Sequence, residues 1–431
     1  MLLIYSLKTT QRISYIFRHI CNRVLGIDIK FTSVIEEFIA HSGPKLSYGK
    51  KPLGNELFLQ STGLLSQQGF EDFDISVKDW DDTKCFFSVG QASALPFDIF
   101  SASFYLLSRY EEYLPHVKDS KGRFSASESL AFKEKFLHEP IVDIWAYKFK
   151  KLLVEVFPQI IFPRKQMVIH TLINANQLFA FKNKGLLRSF SGFLKDMFKL
   201  KFRNFINRIA VISGFKKDPF DTFEWLINTA KKCTSKLTVF FLIGESVNFE
   251  EGTNSQRKTF KLLVKNVADY KQIGLVFSKD SLEELTILKT EKEQIETITN
   301  RALHSALNDE YIVSLPENYR NLIELEIKKD FTMVYEDIVG FRASSCTPFL
   351  FYDLDYEIVT PLLIHPISTT TQGLKKLKHK ERQLVIDQLE ASIKSVNGIF
   401  SIIFSNKDFN NEKDNEIWKT LFLKMMNRQK N

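Results

Sequence analysis

Six residues near the ends of expected strands carry side chains able to do chemistry: Asp330, Tyr335, Arg342, Tyr352, Asp353 and His365. The planar guanidinium of Arg342 could clamp a carboxylate or phosphate, and the tyrosines could stack on a sugar ring. A structural use competes at each position: Asp330 and Asp353 would cap turns, and Arg342 would pair with one of them. His365, within Leu362-Leu-Ile-His-Pro366, is the histidine most open to a role. Its structural alternative is a hydrogen-bonded histidine inside a strand. The eight histidines show no His-x-x-x-His or His-Glu-x-x-His spacing, so no zinc site is expected from spacing alone. No Gly-x-Ser-x-Gly marks a serine hydrolase. The nearest approach to a phosphate loop, Gly43 to Gly49-Lys50-Lys51, has one residue too many between its glycines and no Ser or Thr after the lysine. Nucleotide hydrolysis by that route is not expected.

The elements that must position these residues can be read from composition and pattern. The chain has 431 residues, 44% hydrophobic and 26% charged, which suits two or three folded domains and excludes wholesale disorder. Glycine is scarce (17) and phenylalanine abundant (40), leaving few places for backbone to wrap a phosphate. Four cysteines, Cys21, Cys85, Cys233 and Cys346, lie far apart and read as reduced core residues. The start, Met1 to Tyr5, is too short an apolar run for a signal peptide and reads as a strand. No stretch approaches the ~18 apolar residues needed to span a bilayer, so the expected compartment is the cytoplasm.

Residues 1–160 read as one mixed α/β domain. Ile35–Ala40 or the Lys50–Gln60 region could add strands to Met1–Tyr5, and helices are expected within Phe97–Tyr113 and over Ile141–Val156. From residue 161, apolar runs of strand length recur at Met167–Ile173, Leu237–Ile243, Ile273–Phe277, Phe331–Tyr335, Leu362–Ile367 and Ile399–Phe404. Capping boxes at Asp221–Glu224 and Ser281–Glu284 open expected helices between them, and a further helix ends before Asn397-Gly398. Alternating strands and helices predict a parallel α/β sheet, open or closed.

Several phrases resemble a known family. Leu95-Pro-Phe-Asp-Ile-Phe100, Leu107-Ser-Arg-Tyr-Glu-Glu-Tyr-Leu114, Gly122-Arg-Phe124 and Pro140-Ile-Val-Asp143 are similar to an uncharacterised domain that, in Bacteroidetes, precedes a NodB-like polysaccharide deacetylase domain. Asp218-Pro-Phe-Asp-Thr-Phe-Glu-Trp225, Leu315-Pro-Glu-Asn-Tyr-Arg320, Asp330-Phe-Thr-Met333, Gly340-Phe-Arg-Ala343 and Phe349-Leu-Phe-Tyr-Asp-Leu354 resemble the deacetylase part. The resemblance implies a distorted (β/α) barrel over 161–431, with its site at the carboxyl ends of the strands. It also implies metal-assisted hydrolysis of an N-acetylated sugar. A carboxylate would take a proton from water, a divalent ion such as zinc would polarise the carbonyl, and a histidine would protonate the leaving amine.

The reactive residues of that family are missing. Where the first strand should end in Asp-x-Asp, the chain reads Asn174-Ala-Asn176. An amide copies the shape of a carboxylate but takes no proton at neutral pH. After Ile273-Gly-Leu275 a histidine is implied and Val276 stands there. An Arg-Gln-His stretch aligns with Leu307, Asn308 and Asp309, and the final His-Asn becomes Ser405-Asn406. These changes leave no base, metal pair or acid, so the hydrolytic activity is expected to be lost or impaired and no cofactor is assigned.

The net charge of +8 is concentrated: between Lys182 and Lys217 stand ten basic residues and one acid, a net of +9. Within this window Phe190, Phe193, Leu194, Met197, Phe198, Phe202, Phe205, Ile206 and Ile209 fall at helical spacing, beside a row of Lys195, Lys199 and Arg203. The pattern predicts a basic amphipathic insertion at 182–217. It would bind the anionic inner-membrane surface, where lipid-linked saccharides are found, or pack on the barrel with a solvated basic side. Nucleic acid is not an expected partner. Three functions follow from the sequence: a deacetylase-like protein of cell-surface polysaccharide metabolism without hydrolytic activity, an active carbohydrate deacetylase using other residues, or a membrane-surface scaffold.

Overall fold

The computed structural model describes residues 1–182, 202–233, 235–243 and 254–427. They form two compact units, Met1–Val168 with Ile312–Phe400, and Ile169–Tyr311 with Ser401–Asn431. Residues 312–400 thus group with the N-terminal segment, whereas the sequence assigned them to a domain running from 161 to 431. Buried polar contacts account for the grouping. Tyr15 donates its hydroxyl to the carbonyl of Leu350 at 2.8 Å, and the buried carboxylate of Asp143 accepts the N–H of Cys346 at 2.9 Å.

In the first unit, β1 (Leu2–Tyr5), β2 (Ile29–Thr32), β3 (Lys45–Gly49) and β4 (Leu57–Gln60) form a parallel sheet in the order β2-β1-β3-β4. Parallel strands need crossovers. The first is the helical stretch from Gln11 to Leu25, begun by Thr10, whose hydroxyl accepts the N–H of Ile13 at 3.1 Å, and ended by Gly26 at a φ of +76°. Ile35–Ala40, read as a further strand, is a helix that makes the second crossover. A hairpin of β5 (Lys78–Trp80) and β6 (Thr83–Cys85) follows. The expected helix within Phe97–Tyr113 is split into Ile99–Leu107 and Tyr110–Tyr113 because Arg109 adopts left-handed backbone (φ +54°). Asp98 caps its first part, accepting the N–H of Ser101 at 3.1 Å. Ile141–Val156 is helical as expected and buries Trp145 and Phe149.

The second unit is a singly wound parallel sheet. β7 (Val168–Ala175), β8 (Lys236–Leu242), β9 (Gln272–Phe277) and β10 (Ser305–Asn308) pair in sequence order. Helices Phe223–Lys231, Asn254–Tyr270 and Leu285–Thr299 stand between the strands. Neither expected capping box forms at its helix. Phe223–Lys231 starts after Thr222 without a side-chain cap, and Ser281 lies in a 3-10 turn four residues before Leu285–Thr299. The final strand of this unit, Ile399–Ser405, lies beside β7.

The segment 312–400 carries β11 (Lys329–Asp330), β12 (Phe349–Asp353), β13 (Ile358–Ile364) and β14 (Thr369–Thr370) before Ile399–Ser405, which becomes β15. β13 pairs parallel to β11 and antiparallel to β12. Among the described residues no closed (β/α) barrel forms, against the expectation from the resemblance. Closure requires each strand to run long enough for a neighbour on both sides. The strand expected over Phe331–Tyr335 stops at Asp330, because the carboxylate of Asp330 accepts both the N–H of Thr332 (3.0 Å) and its hydroxyl (2.6 Å) and turns the chain. All four cysteines are buried thiols.

Candidate functional site

The register of the second sheet places the implied catalytic positions. Leu242 on β8 pairs with Val276 on β9, and Val276 with Leu307 on β10. Two residues earlier along β8 and β9, Phe240 pairs with Gly274, and Phe240 also pairs with Asn174 on β7. Parallel partners face the same side of a sheet, and so do residues two apart on one strand. Asn174, Val276 and Leu307 therefore share one face at the carboxyl end. Val276 and Leu307 are fully buried. Ser405, at the end of β15, is half-buried and caps the turn that follows: its oxygen accepts the N–H of Lys407 at 3.3 Å. Asp309 begins a short 3-10 turn after β10, and Asn176 lies just beyond β7, both half-buried.

Sequence reasoning missed Tyr311. Its hydroxyl accepts a hydrogen bond from the Nδ2 of Asn174 at 3.4 Å, while the Oδ1 of Asn174 accepts none from the described residues. Tyr311 reaches this position through left-handed backbone at Glu310 and Tyr311 (φ +51° and +57°), which neither residue type announces. The position where the resemblance implies a water-activating carboxylate thus holds a neutral amide hydrogen-bonded to a phenol hydroxyl. Next to Asn174, Gly274 is required by packing: a Cβ there would lie 2.4 Å from the Phe240 ring and 2.9 Å from the carbonyl oxygen of Ser305.

The divalent ion implied by the resemblance does not fit these residues. At the positions the resemblance implies stand Asn174, Asn176, Val276, Leu307 and Ser405, with Asp309 the one carboxylate. Among the described residues, no group of three or more His, Cys, Asp or Glu is placed to hold a metal.

The other six singled-out residues belong to the first unit, where they serve its interior. Asp330 is fully buried and accepts the Tyr319 hydroxyl at 3.0 Å; burial pushes its carboxyl up to about 6, against the pull of these hydrogen bonds. Arg342 is paired with neither expected aspartate. Its guanidinium meets Glu112 through Nε (3.0 Å) and Nη2 (2.7 Å), and its charge lies 5.6 Å from the buried ring of Tyr335. Glu112 also accepts Nε of Arg109 at 2.8 Å. Asp353 is held by Arg320 at 2.7 and 2.9 Å and receives the N–H groups of Asp355 and Tyr356, a turn-capping role. Tyr352 donates to Glu357 at 2.8 Å, and the ring of His365 stacks on Phe331 at 4.5 Å.

Lys195 and Lys199 lie outside the described residues, and for Arg203 the helix Phe202–Ile212 is described without its side chain. No helix among the described residues is long and apolar enough to cross a membrane.

Comparison with known proteins gives one family match: a family of unknown function, DUF7033, over residues 2–158. No curated protein matches the chain. Among solved structures, a CE4 family pseudoenzyme from Bacillus anthracis aligns at 10% identity over 60% of each chain, with a TM-score of 0.30. A protein assigned as a polysaccharide deacetylase from Mycobacterium smegmatis aligns at 9% identity over 63% of this chain and 86% of its own, with a TM-score of 0.40. A 4-α-glucanotransferase from Thermococcus litoralis aligns at 14% identity over 61% of this chain and 37% of its own, with a TM-score of 0.36. The chain thus spans 60% of the length of the first of these structures.

Proposed function

We propose that this chain is a NodB-like deacetylase relative that has lost hydrolysis and serves cell-surface polysaccharide metabolism by holding carbohydrate without cleaving it. The observation that carries the reading is the shared strand-end face of Asn174, Val276 and Leu307. Amide hydrolysis through a metal needs anionic or imidazole ligands and a base of matched pKa. Neither an amide nor an aliphatic side chain supplies one, and the phrases around these positions still resemble the family. Metal analysis of the purified protein together with an acetate-release assay on N-acetylated oligosaccharides tests the reading. The expected result is substoichiometric zinc and no acetate above background. Stoichiometric metal or enzyme-dependent acetate would establish the competing reading, an active deacetylase with a different residue set.

A further inference from the structure

The second unit holds a cavity of about 1170 Å³ between helix Phe202–Ile212, the loop 216–222, the segment 409–419 and Gln177, Ala180 and Phe181 beyond the end of β7; neither Asn174 nor Val276 lines it. Its volume exceeds that of an ordinary small-molecule pocket and suits an oligomeric ligand. Among the described residues the ionisable lining is balanced in sign, three lysines (216, 217, 419) against four acids (218, 221, 412, 414), with no cationic excess to hold a phosphate.

Most of these groups already have work within the protein. The buried carboxylate of Asp218 accepts the N–H groups of Ala180, Phe181 and Phe220 at 2.8, 2.8 and 3.0 Å and so shapes the wall. Lys216 donates to Asn207 (2.8 Å), Lys217 pairs with Glu224 (3.1 Å) and Lys419 donates to Asn411 (3.1 Å). Asp221 differs. It is half-buried, and its carboxylate accepts no hydrogen bond from the described residues. Burial raises its pKa, with Lys217 opposing the rise. Leaving a carboxylate so is unfavourable unless something else hydrates or binds it.

Two amide donors are also left over. The Oδ1 of Asn410 accepts from the N–H of Glu412 (2.9 Å) and from Asn415 (2.7 Å), and the Oδ1 of Asn207 accepts from Lys216; the NH2 group of each has no acceptor among the described residues. The wall between is aromatic. Half-buried Trp225 is fixed by Phe409 and Phe422, at ring distances of 5.1 and 5.5 Å.

We propose that this cavity is a binding site for a neutral saccharide, with Asp221 accepting from sugar hydroxyls, the amides of Asn207 and Asn410 donating to sugar oxygens, and Trp225 covering an apolar sugar face. A carboxylate can accept from two hydroxyls at once, an amide NH2 complements hydroxyl and ring oxygens, and an indole covers C–H surface. The assignment rests on the carbohydrate-holding reading above and gives the sugar to side chains other than Asn174 and Val276.

Isothermal titration of the full chain with chitotetraose and with cellotetraose tests it. Saturable binding of at least one is expected, weakened tenfold or more by Asp221→Asn and by Asn207→Ala, with circular dichroism unchanged. Asn174→Ala, at the strand ends, is expected to leave binding unchanged. Equal affinity in Asp221→Asn and the wild type would overturn the cavity assignment while leaving the carbohydrate reading standing. Loss of binding in Asn174→Ala with retention in Asp221→Asn would move the sugar to the strand-end face and overturn it too. No saturable binding of either sugar would remove both the cavity assignment and the carbohydrate-holding role, while acetate release still judges the loss of hydrolysis.

Discussion

Arg342 and Glu112 stand 230 positions apart in sequence yet meet through two near-parallel hydrogen bonds, with both side chains all but excluded from solvent. Arg109 joins the same carboxylate and also pairs with Glu111 at 2.8 Å, so two glutamates face two buried guanidinium groups. Removing a single partner from such a pair leaves charge buried without compensation. Glu112→Gln is expected to lower unfolding free energy by about 3–5 kcal/mol, read by urea denaturation. Burial alone would raise the carboxyl, but Arg342 and Arg109 outweigh it and hold it down to about 2. A depressed acid contributes stability above its unfolded pKa and loses it on the way down. The gap between wild type and variant should therefore narrow as pH falls from about 4.5 toward 2. A pH-independent gap would contradict the pairing.

His19 makes the opposite kind of contribution. It is buried in the first unit, and neither ring nitrogen has a hydrogen-bond partner among the described residues. Burial, reinforced by Arg23 and Lys165, lowers its pKa to about 3, so the folded protein keeps it neutral. The unfolded chain takes up a proton near the ordinary histidine value, and stability is lost as pH falls from about 6.5 to about 3. His19→Leu removes two unsatisfied polar atoms and should stabilise the protein by about 1–3 kcal/mol at neutral pH. Over the same window it should also flatten the slope of stability against pH by about 1.4 kcal/mol per unit. An unchanged slope would show that His19 titrates normally.

Gly274 has no freedom to grow. A Cβ there would meet the Phe240 ring and the Ser305 carbonyl, so Gly274→Ala is expected to destabilise by about 1–3 kcal/mol. Adding Phe240→Leu should recover part of that loss. Thermal denaturation of both variants checks the prediction, and a single variant as stable as the wild type would mean the strands can separate to admit a methyl group.

The basic segment is testable without its structure. Cosedimentation of the full chain with vesicles containing phosphatidylserine is expected at low salt and should weaken as salt rises, because surface charge is screened within about 10 Å at 0.1 M. Reversing Lys195, Lys199 and Arg203 to Glu should abolish it. Equal sedimentation after that reversal would dispose of a membrane role for this segment.

The chain's pattern alone determined several of the helices and, of the second sheet, β7, β8, β9 and β15 but not β10. Ile141–Val156 matched its expected range, and β7, β8, β9 and β15 lie within a residue or two of theirs. Such elements are local: periodicity along a dozen residues decides which face is buried. Asn174 and Val276 could likewise be read from neighbouring phrases, since each sits at a strand end whose apolar run is visible in the sequence. What failed was decided by partners distant in the chain. The strand expected at Phe331–Tyr335 was stopped by the side chain of Asp330, and the two capping boxes yielded to helix starts set by packing. Arg342 was expected to pair with an aspartate nearby and instead meets Glu112, because a guanidinium buried by tertiary packing takes the carboxylate that is buried with it. The Asn174–Tyr311 hydrogen bond and the uncommitted carboxylate of Asp221 are also products of chain folding. Which polar groups find partners, and which are left for a ligand, depends on contacts that no local pattern encodes.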